Sequence, residues 1–196
     1  LEQILARFAR VFFNQSWLDA VTGLEQHFGI PWLIPSAPQV EEGLGRCTVD
    51  YIGVNYYTKA LLQWRPLEDS LGMPVKVIFH RVGEKKSDLD WAIHPRGLGR
   101  MLRFVKRYGL PIYITENGIA DAADKYREEY LVKHLYEIAR ERARGADVRG
   151  YYYWSLLDNF EWIKGFPPRF GLIDVNYNTF ERKLRTSAQS YREIIA

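Results

Sequence analysis

The chain has little cysteine, no long apolar run and no cluster of histidines. Cys47 is the only cysteine among 196 residues, so an internal disulfide is excluded and secretion gains no support. No apolar run approaches the roughly 20 residues that span a bilayer, and no signal peptide is recognisable. The four histidines lie on different segments without ligand spacing. We therefore expect a cytoplasmic protein with no membrane contact, no metal and no cofactor.

Charge of one sign is not in excess either. The chain has 27 Lys and Arg against 24 Asp and Glu, which leaves a net charge of +3. The basic residues are scattered along the chain, so the electrostatic footprint of a nucleic-acid-binding protein is absent. No Gly-x-Gly-x-x-Gly string follows a strand, which excludes that nucleotide-binding loop. Aromatic residues, in contrast, make up 15% of the chain, and this abundance indicates a binding site.

Helix and strand patterns alternate along most of the chain. The predicted helices cover residues 1–28, 95–108, 124–144 and 186–195. The predicted strands cover residues 49–57, 75–79, 111–115 and 148–154. A proline- and glycine-rich loop is expected at 29–46, and a long loop at 59–95 surrounds the second strand. Apolar strands that alternate with helices are typical of a parallel sheet with both sides covered, in a single α/β domain.

Polar and aromatic side chains follow the predicted parallel strands where each strand ends. The three ends are Asn55–Thr58, Thr115–Gly118 and Trp154–Trp162. Functional residues of parallel βα folds lie at these carboxyl ends, so we expect one site there. Carboxylates, phenols and flat indoles together suit a sugar, which packs one apolar face on an aromatic ring and presents a rim of hydroxyls.

Glu116 is the most informative of these residues. It ends an apolar strand, where an ionised carboxylate costs several kcal/mol unless it is hydrogen-bonded or has a functional role. Two interpretations stay open from the residues alone. Glu116 either caps the next helix or bonds to a loop, or it takes part in catalysis.

Four long strings then follow one another in a fixed order. They are Asp50–Thr58 (DYIGVNYYT), Tyr113–Gly118 (YITENG), Tyr153–Trp162 (YWSLLDNFEW) and Arg169–Asp174 (RFGLID). In order and spacing they resemble the C-terminal half of the family 1 glycoside hydrolases, the retaining β-glucosidases and β-galactosidases. The segment around Asp90 and Trp91 is similar too, so the resemblance extends from about residue 49 onward.

The resemblance implies part of a (β/α)₈ TIM barrel, namely strands six to eight with their helices. Residues 1–196 would then form the C-terminal portion of a single barrel domain whose N-terminal half is absent. Glu116 is implied to be the nucleophile that forms a glycosyl-enzyme, and Tyr57 to hydrogen-bond and orient it. The residues implied to bind the sugar are Asn55, Trp91, Trp154, Glu161, Trp162 and Phe170.

One part of the family pattern is missing from the sequence. Retaining hydrolysis uses a second carboxyl group, the general acid and base, about 5 to 5.5 Å from the nucleophile. The family carries it in an Asn-Glu-Pro string, which this chain lacks. Glu161 cannot replace it without leaving its hydroxyl-binding role. A chain that begins at Leu1 is therefore expected to be a fragment with half a site.

Three hypotheses follow. The first is an O-glycosyl hydrolase acting on terminal β-linked glucose or galactose, between which the sequence does not distinguish. The second is a catalytically incomplete half-barrel that binds sugar, or that assembles with a complementary N-terminal fragment or a second copy. Its exposed interior layer is expected to comprise Tyr51, Val54, Ile112, Ile114, Tyr151 and Tyr153. The third, a βα scaffold with aromatics only in its core, is disfavoured by the motifs.

Overall fold

The computed structural model describes residues 14–23, 47–64 and 75–196, together with Gln3, Ala6 and Ala9. These residues belong to two compact units, residues 1–51 with 61–78 and residues 52–60 with 79–196. The elements in chain order are α1 (Ser16–Thr22), β1 (Ile52–Asn55), β2 (Leu61–Trp64), β3 (Val75–Ile78), α2 (Pro95–Val105), β4 (Ile112–Asn117), α3 (Arg127–Ala143), β5 (Val148–Tyr153), β6 (Ile173–Val175), β7 (Arg182–Leu184) and α4 (Thr186–Ile195).

The first unit contains α1 and an antiparallel hairpin of β2 and β3. Strand β3 confirms the strand predicted at 75–79, whereas β2 lies in a stretch that was expected to be loop. Helix α1 confirms residues 16–22 of the helix predicted over residues 1–28, and Gln3, Ala6 and Ala9 are helical too. Most other positions of that predicted helix, and the predicted loop at 29–46, lie outside the described residues.

The second unit is built on a parallel sheet in the order β1–β4–β5. Helix α3 connects β4 to β5, α2 packs against α3, and α3 packs against α4. The predicted alternation of strands and helices is thereby confirmed, with ends that differ by a few residues. The antiparallel pair β6–β7 is additional to the predicted elements. None of the described helices has the length and apolar composition needed to cross a membrane.

Helix α3 begins where a buried carboxylate satisfies its first amides. The Asp121 carboxylate accepts hydrogen bonds from the backbone N–H groups of Tyr126 (2.7 Å) and Arg127 (3.0 Å), which have no partner within the helix. One face of the helix then turns to the core at a spacing of three to four residues. Its buried apolar and aromatic side chains are Tyr130, Leu131, His134 and Ile138.

The prediction of which sheet face is open is wrong. Ile112 and Ile114 are fully buried, and Val54 is buried as well. Tyr151 and Tyr153 pack on the cluster of Leu131, Leu172 and Ala188, and of the six predicted residues only Tyr51 is exposed. The opposite face is the open one, with Gly53, Asn55, Thr115 and Tyr152 exposed. Alternation along a strand shows which residues share a face, but it does not show which face the helices cover.

Candidate active site

The carboxyl ends of β1 and β4 bring a phenol and a carboxylate together. The Tyr57 hydroxyl donates a hydrogen bond of 2.7 Å to Oε2 of Glu116, although 59 residues separate them. Burial, this hydrogen bond and the charges of Glu116 and Glu161 raise the pKa of Tyr57 far above its ordinary value. The phenol therefore keeps its proton and remains a donor to the carboxylate.

The structure excludes the helix-capping role for Glu116. Asp121, not Glu116, accepts from the first amides of α3, so the capping role belongs to another residue. The hydrogen-bond partner of the Glu116 side chain is the Tyr57 phenol. Glu116 is half-buried and bonded to a residue that follows β1, and its catalytic role stays a prediction.

A second carboxylate, Glu161, faces the same site from the segment after β5. Burial and the charge of Glu116 raise its pKa, while a hydrogen bond from Trp154 opposes the rise. Its main chain is fixed by a short turn, because Glu161 N–H donates to the carbonyl of Gly165 (2.7 Å) and its own carbonyl accepts from Lys164 N–H (2.8 Å). The structure thus brings Glu116, Tyr57 and Glu161 within electrostatic reach of one another.

The two tryptophans implied in sugar binding differ in exposure. Trp154 is half-buried, and its backbone N–H donates to the carbonyl of Asn117 at 3.0 Å, which ties the end of β5 to the end of β4. Gly118 allows this approach, since a Cβ at that position would overlap the Trp154 carbonyl. Trp162 begins the turn Trp162–Lys164 and is 78% exposed, so its indole is open to solvent.

An aromatic cluster borders the Tyr57 ring. The ring centroid of Tyr57 lies 5.8 Å from that of Trp91 and 6.0 Å from that of Phe170, and both contacts are edge-on. Phe170 is 2% exposed and packs behind these rings, whereas Trp91 is half-buried. The Ser87 hydroxyl accepts from the backbone N–H of Trp91 at 3.3 Å and so helps to hold its loop. The ring centroid of Phe79 lies 6.4 Å from that of Trp91, so Phe79 extends the cluster. The sequence patterns did not predict this residue as part of the site.

Asn55 lies on the open face of the sheet beside Glu116. The two residues are paired in the β1–β4 register, and the Asn55 amide oxygen accepts a hydrogen bond of 2.7 Å from the Thr115 hydroxyl. The contacts above link seven of the eight predicted site residues, whereas Trp162 is located only by the turn that it begins after Glu161. Their individual roles toward a substrate stay predictions.

Sequence reasoning missed the residues that hold this site from behind. Asn117, Tyr130 and Tyr151 form a buried hydrogen-bonded series, and Asp158 accepts from the main chain of Gly171 and Val175. A polar residue such as Asn117 in an apolar strand end was the available signal.

Among the described residues, no three His, Cys, Asp or Glu side chains come together as ligands of a metal ion.

Two carboxylates, a phenol that donates to one of them and nearby indole rings are together groups that can bind a sugar. The family model of glycosyl hydrolase family 1 matches residues 22–196 of this chain. This match spans all four strings and every predicted site residue.

Individual relatives agree with the family match. A β-galactosidase of Sulfolobus acidocaldarius is 44% identical over 156 residues, which cover 76% of this chain and 32% of that protein. β-Glucosidase A of Acetivibrio thermocellus is 37% identical over 158 residues, covering 75% of this chain and 35% of that protein. The β-glycosidase from Pyrococcus horikoshii superposes with a TM-score of 0.77 at 39% identity, covering 96% of this chain and 42% of that one. The chain spans about a third of the length of the curated relatives it matches.

Proposed function

This chain belongs to glycosyl hydrolase family 1, and from that premise we propose that it is the nucleophile-bearing part of a retaining β-glycosidase. Its substrates would carry a terminal β-linked glucose or galactose. In this proposal β1, β4 and β5 are strands six, seven and eight of a (β/α)₈ barrel. The observation that carries it is the hydrogen bond from the Tyr57 phenol to the Glu116 carboxylate, at the joined ends of two parallel strands.

Glu116 would act as the nucleophile. Its carboxylate oxygen attacks the anomeric carbon, a carbon–oxygen ester bond forms, and the bond to the leaving group breaks. Tyr57 would orient Glu116, because the raised pKa of the phenol keeps the proton that it donates to the carboxylate. Water then releases the sugar in the second step.

The other site residues would bind the sugar. Glu161 accepts from two adjacent hydroxyls, Trp154 lies under the apolar face of the ring, and Trp162 adds a further donor. Asn55 lines the same pocket beside Glu116, and Trp91 borders the leaving-group side. Phe170 contributes the aromatic wall, for which its packing against Tyr57 and Trp91 is the structural support.

The general acid and base would come from outside this sequence, which has no Asn-Glu-Pro string. A specific observation therefore favours a second candidate function. The face of the sheet that carries Asn55 and Thr115 is exposed, as expected if a complementary half-barrel or a second copy covers it. In that case the chain alone binds sugar without turnover.

A 2-deoxy-2-fluoro-β-glucoside with a dinitrophenolate leaving group tests the nucleophile. This leaving group departs without a proton, so the first step does not need the missing acid, and the fluorine slows release of the adduct. We expect a covalent adduct on the full chain, located on Glu116 by peptide mass mapping, and none on the Glu116→Gln variant.

Glu161→Gln is the matched control, since it removes the other carboxylate of the site. It should label more slowly but still on Glu116. An adduct on Glu161 in the unaltered chain would overturn the assigned roles. Sugar binding without any adduct would favour the second candidate function instead.

A further inference from the structure

A buried series of polar groups lies behind the Tyr57–Glu116 pair and joins β5, β4 and α3 to the end of β1. Tyr151 contacts the side-chain oxygen of Asn117 at 2.9 Å, and the Asn117 amide nitrogen contacts the Tyr130 hydroxyl at 2.8 Å. Tyr130 in turn contacts the carbonyl of Tyr57 at 3.1 Å. Asn117 is 0% exposed and Tyr130 is 1% exposed, so water does not substitute for these partners.

The direction of each hydrogen bond in the series is fixed. The carbonyl of Tyr56 can only accept, so the Asn117 atom 2.6 Å from it is the amide nitrogen. The second amide hydrogen then goes to the Tyr130 hydroxyl, which must donate its own proton onward to the Tyr57 carbonyl. The Tyr151 hydroxyl donates to the remaining Asn117 oxygen. Burial raises the pKa of Tyr130 and of Tyr151 well above the ordinary value, so both stay donors.

Two successive carbonyls are held by this series, those of Tyr56 and Tyr57. They flank the Cα that carries the phenol donating to Glu116. On the other side, the backbone N–H of Tyr56 donates to the Glu116 carbonyl at 2.9 Å. The main chain around Tyr57 is therefore fixed relative to the main chain around Glu116 from two directions.

We propose that Tyr130, acting through its hydroxyl and Asn117, is a positioning residue that holds the Tyr57 phenol on the Glu116 carboxylate. The aromatic ring of Tyr130 has a separate structural task, since it stacks on His134 with centroids 3.8 Å apart. Tyr130→Phe keeps this stacking and removes only the hydroxyl. The variant therefore separates positioning from packing.

The test observes Tyr57 itself. The full chain is labelled with ¹³C at the tyrosine Cζ, and the Tyr57 signal and its hydroxyl proton are assigned by their loss in Tyr57→Phe. Glu116→Gln provides the reference for a phenol without a charged acceptor. In Tyr130→Phe we expect the Tyr57 signal to move toward this reference and the hydroxyl proton to exchange about tenfold faster, the factor that one lost hydrogen bond produces.

Tyr153→Phe is the matched control. Tyr153 is another half-buried phenol of the same core, and its hydroxyl accepts from Arg127 at 3.0 Å rather than contacting Tyr57. This control should lose stability in urea while the Tyr57 signal stays in place. A Tyr57 signal unmoved in Tyr130→Phe, with stability reduced as in the control, would show a structural role only and overturn the proposal.

Tyr151→Phe decides the matter if Tyr130→Phe does not fold. It loosens only the far end of the series, so a smaller shift in the same direction supports positioning and an unchanged signal overturns it. Only the catalytic meaning of this positioning role depends on the proposed function. If the fluoroglycoside does not label Glu116 but the Tyr57 signal shifts in Tyr130→Phe, the function is rejected and the positioning role is kept. If labelling succeeds but the Tyr57 signal does not shift, the positioning role is rejected.

Discussion

At the scale of single residues, Glu161 lies where its ionised form is disfavoured in the folded protein. Burial and the charge of Glu116 raise its pKa above the ordinary value. The folded chain therefore binds more protons than the unfolded chain between the ordinary and the raised pKa. The contribution of Glu161 to stability is present below the ordinary value and is lost as pH rises through the raised one.

We expect Glu161→Gln to remove this loss. Glutamine keeps an acceptor for the Trp154 indole but carries no charge, so the variant should gain stability relative to the unaltered chain as pH rises. The difference in free energy of unfolding, variant minus unaltered chain, should be more positive at pH 7 than at pH 4. Urea denaturation at both pH values measures the difference. Glu181→Gln, an exposed position after β6, is the control and should show no such change. A pH-independent difference for Glu161→Gln would contradict the argument.

The same substitution should weaken sugar binding. In the proposed site the Glu161 carboxylate would accept from two hydroxyls, and a neutral amide would replace it, so affinity for a glucose analogue should fall about tenfold or more. Calorimetric titration of the unaltered chain and the variant with the glucose analogue measures this affinity. A residue that costs stability at neutral pH yet strengthens binding is the pattern expected of a functional group.

At the scale of elements, the segment between β5 and α4 is held by the buried carboxylate of Asp158. It accepts from the backbone N–H of Gly171 (2.8 Å) and from the guanidinium groups of Arg185 (2.9 Å) and Arg169 (3.4 Å). Asp158→Asn leaves Arg169 without this carboxylate, whereas Arg185 keeps its pair with Asp174 (2.7 Å). We therefore expect unfolding to become easier by about 2 kcal/mol, the size of a lost charged hydrogen bond. The Glu161 turn, three residues away, should lose its fixed geometry as well.

Asp147→Asn is the control for this change. Asp147 also pairs with an arginine, Arg149, but both side chains are more than half exposed. Exposed pairs contribute little, so the urea midpoint should not move measurably. Equal effects at Asp147 and Asp158 would show that burial is not what makes the Asp158 network stabilising.

The sequence predicts elements better than it predicts their contacts. Periodicity located α2, α3 and the three parallel strands, because each buries an apolar stripe, and it also located α4, which buries only Ser187 and Ala188. It did not locate β7, whose three residues are all exposed and give no burial pattern. The chemistry of Glu116 was visible at a strand end, whereas the contact of Tyr130 with Tyr57 joins residues 73 positions apart and follows only from the folded topology.

At the scale of the whole molecule, the proposed site is divided between this chain and a part that it does not contain. The exposed sheet face beside Glu116, with Asn55, Thr115 and Tyr152, is the surface that such a part would cover. A substrate with a poor leaving group needs a proton donor, and Glu116 cannot supply one while it acts as nucleophile. Turnover of an alkyl β-glucoside is therefore expected only when a second carboxylate is provided.

Mixing the chain with an N-terminal portion of a family 1 enzyme that carries Asn-Glu-Pro tests this division. We expect hydrolysis of an alkyl β-glucoside in the mixture, none by either part alone, and a complex of one copy of each by analytical ultracentrifugation. Glu116→Gln in this chain, and Glu→Gln in the Asn-Glu-Pro string of the partner, should each abolish turnover while leaving the complex intact. Hydrolysis by this chain alone would show that its own residues complete the site. A complex that stays inactive would show that contact between the two parts does not restore the geometry of the active site.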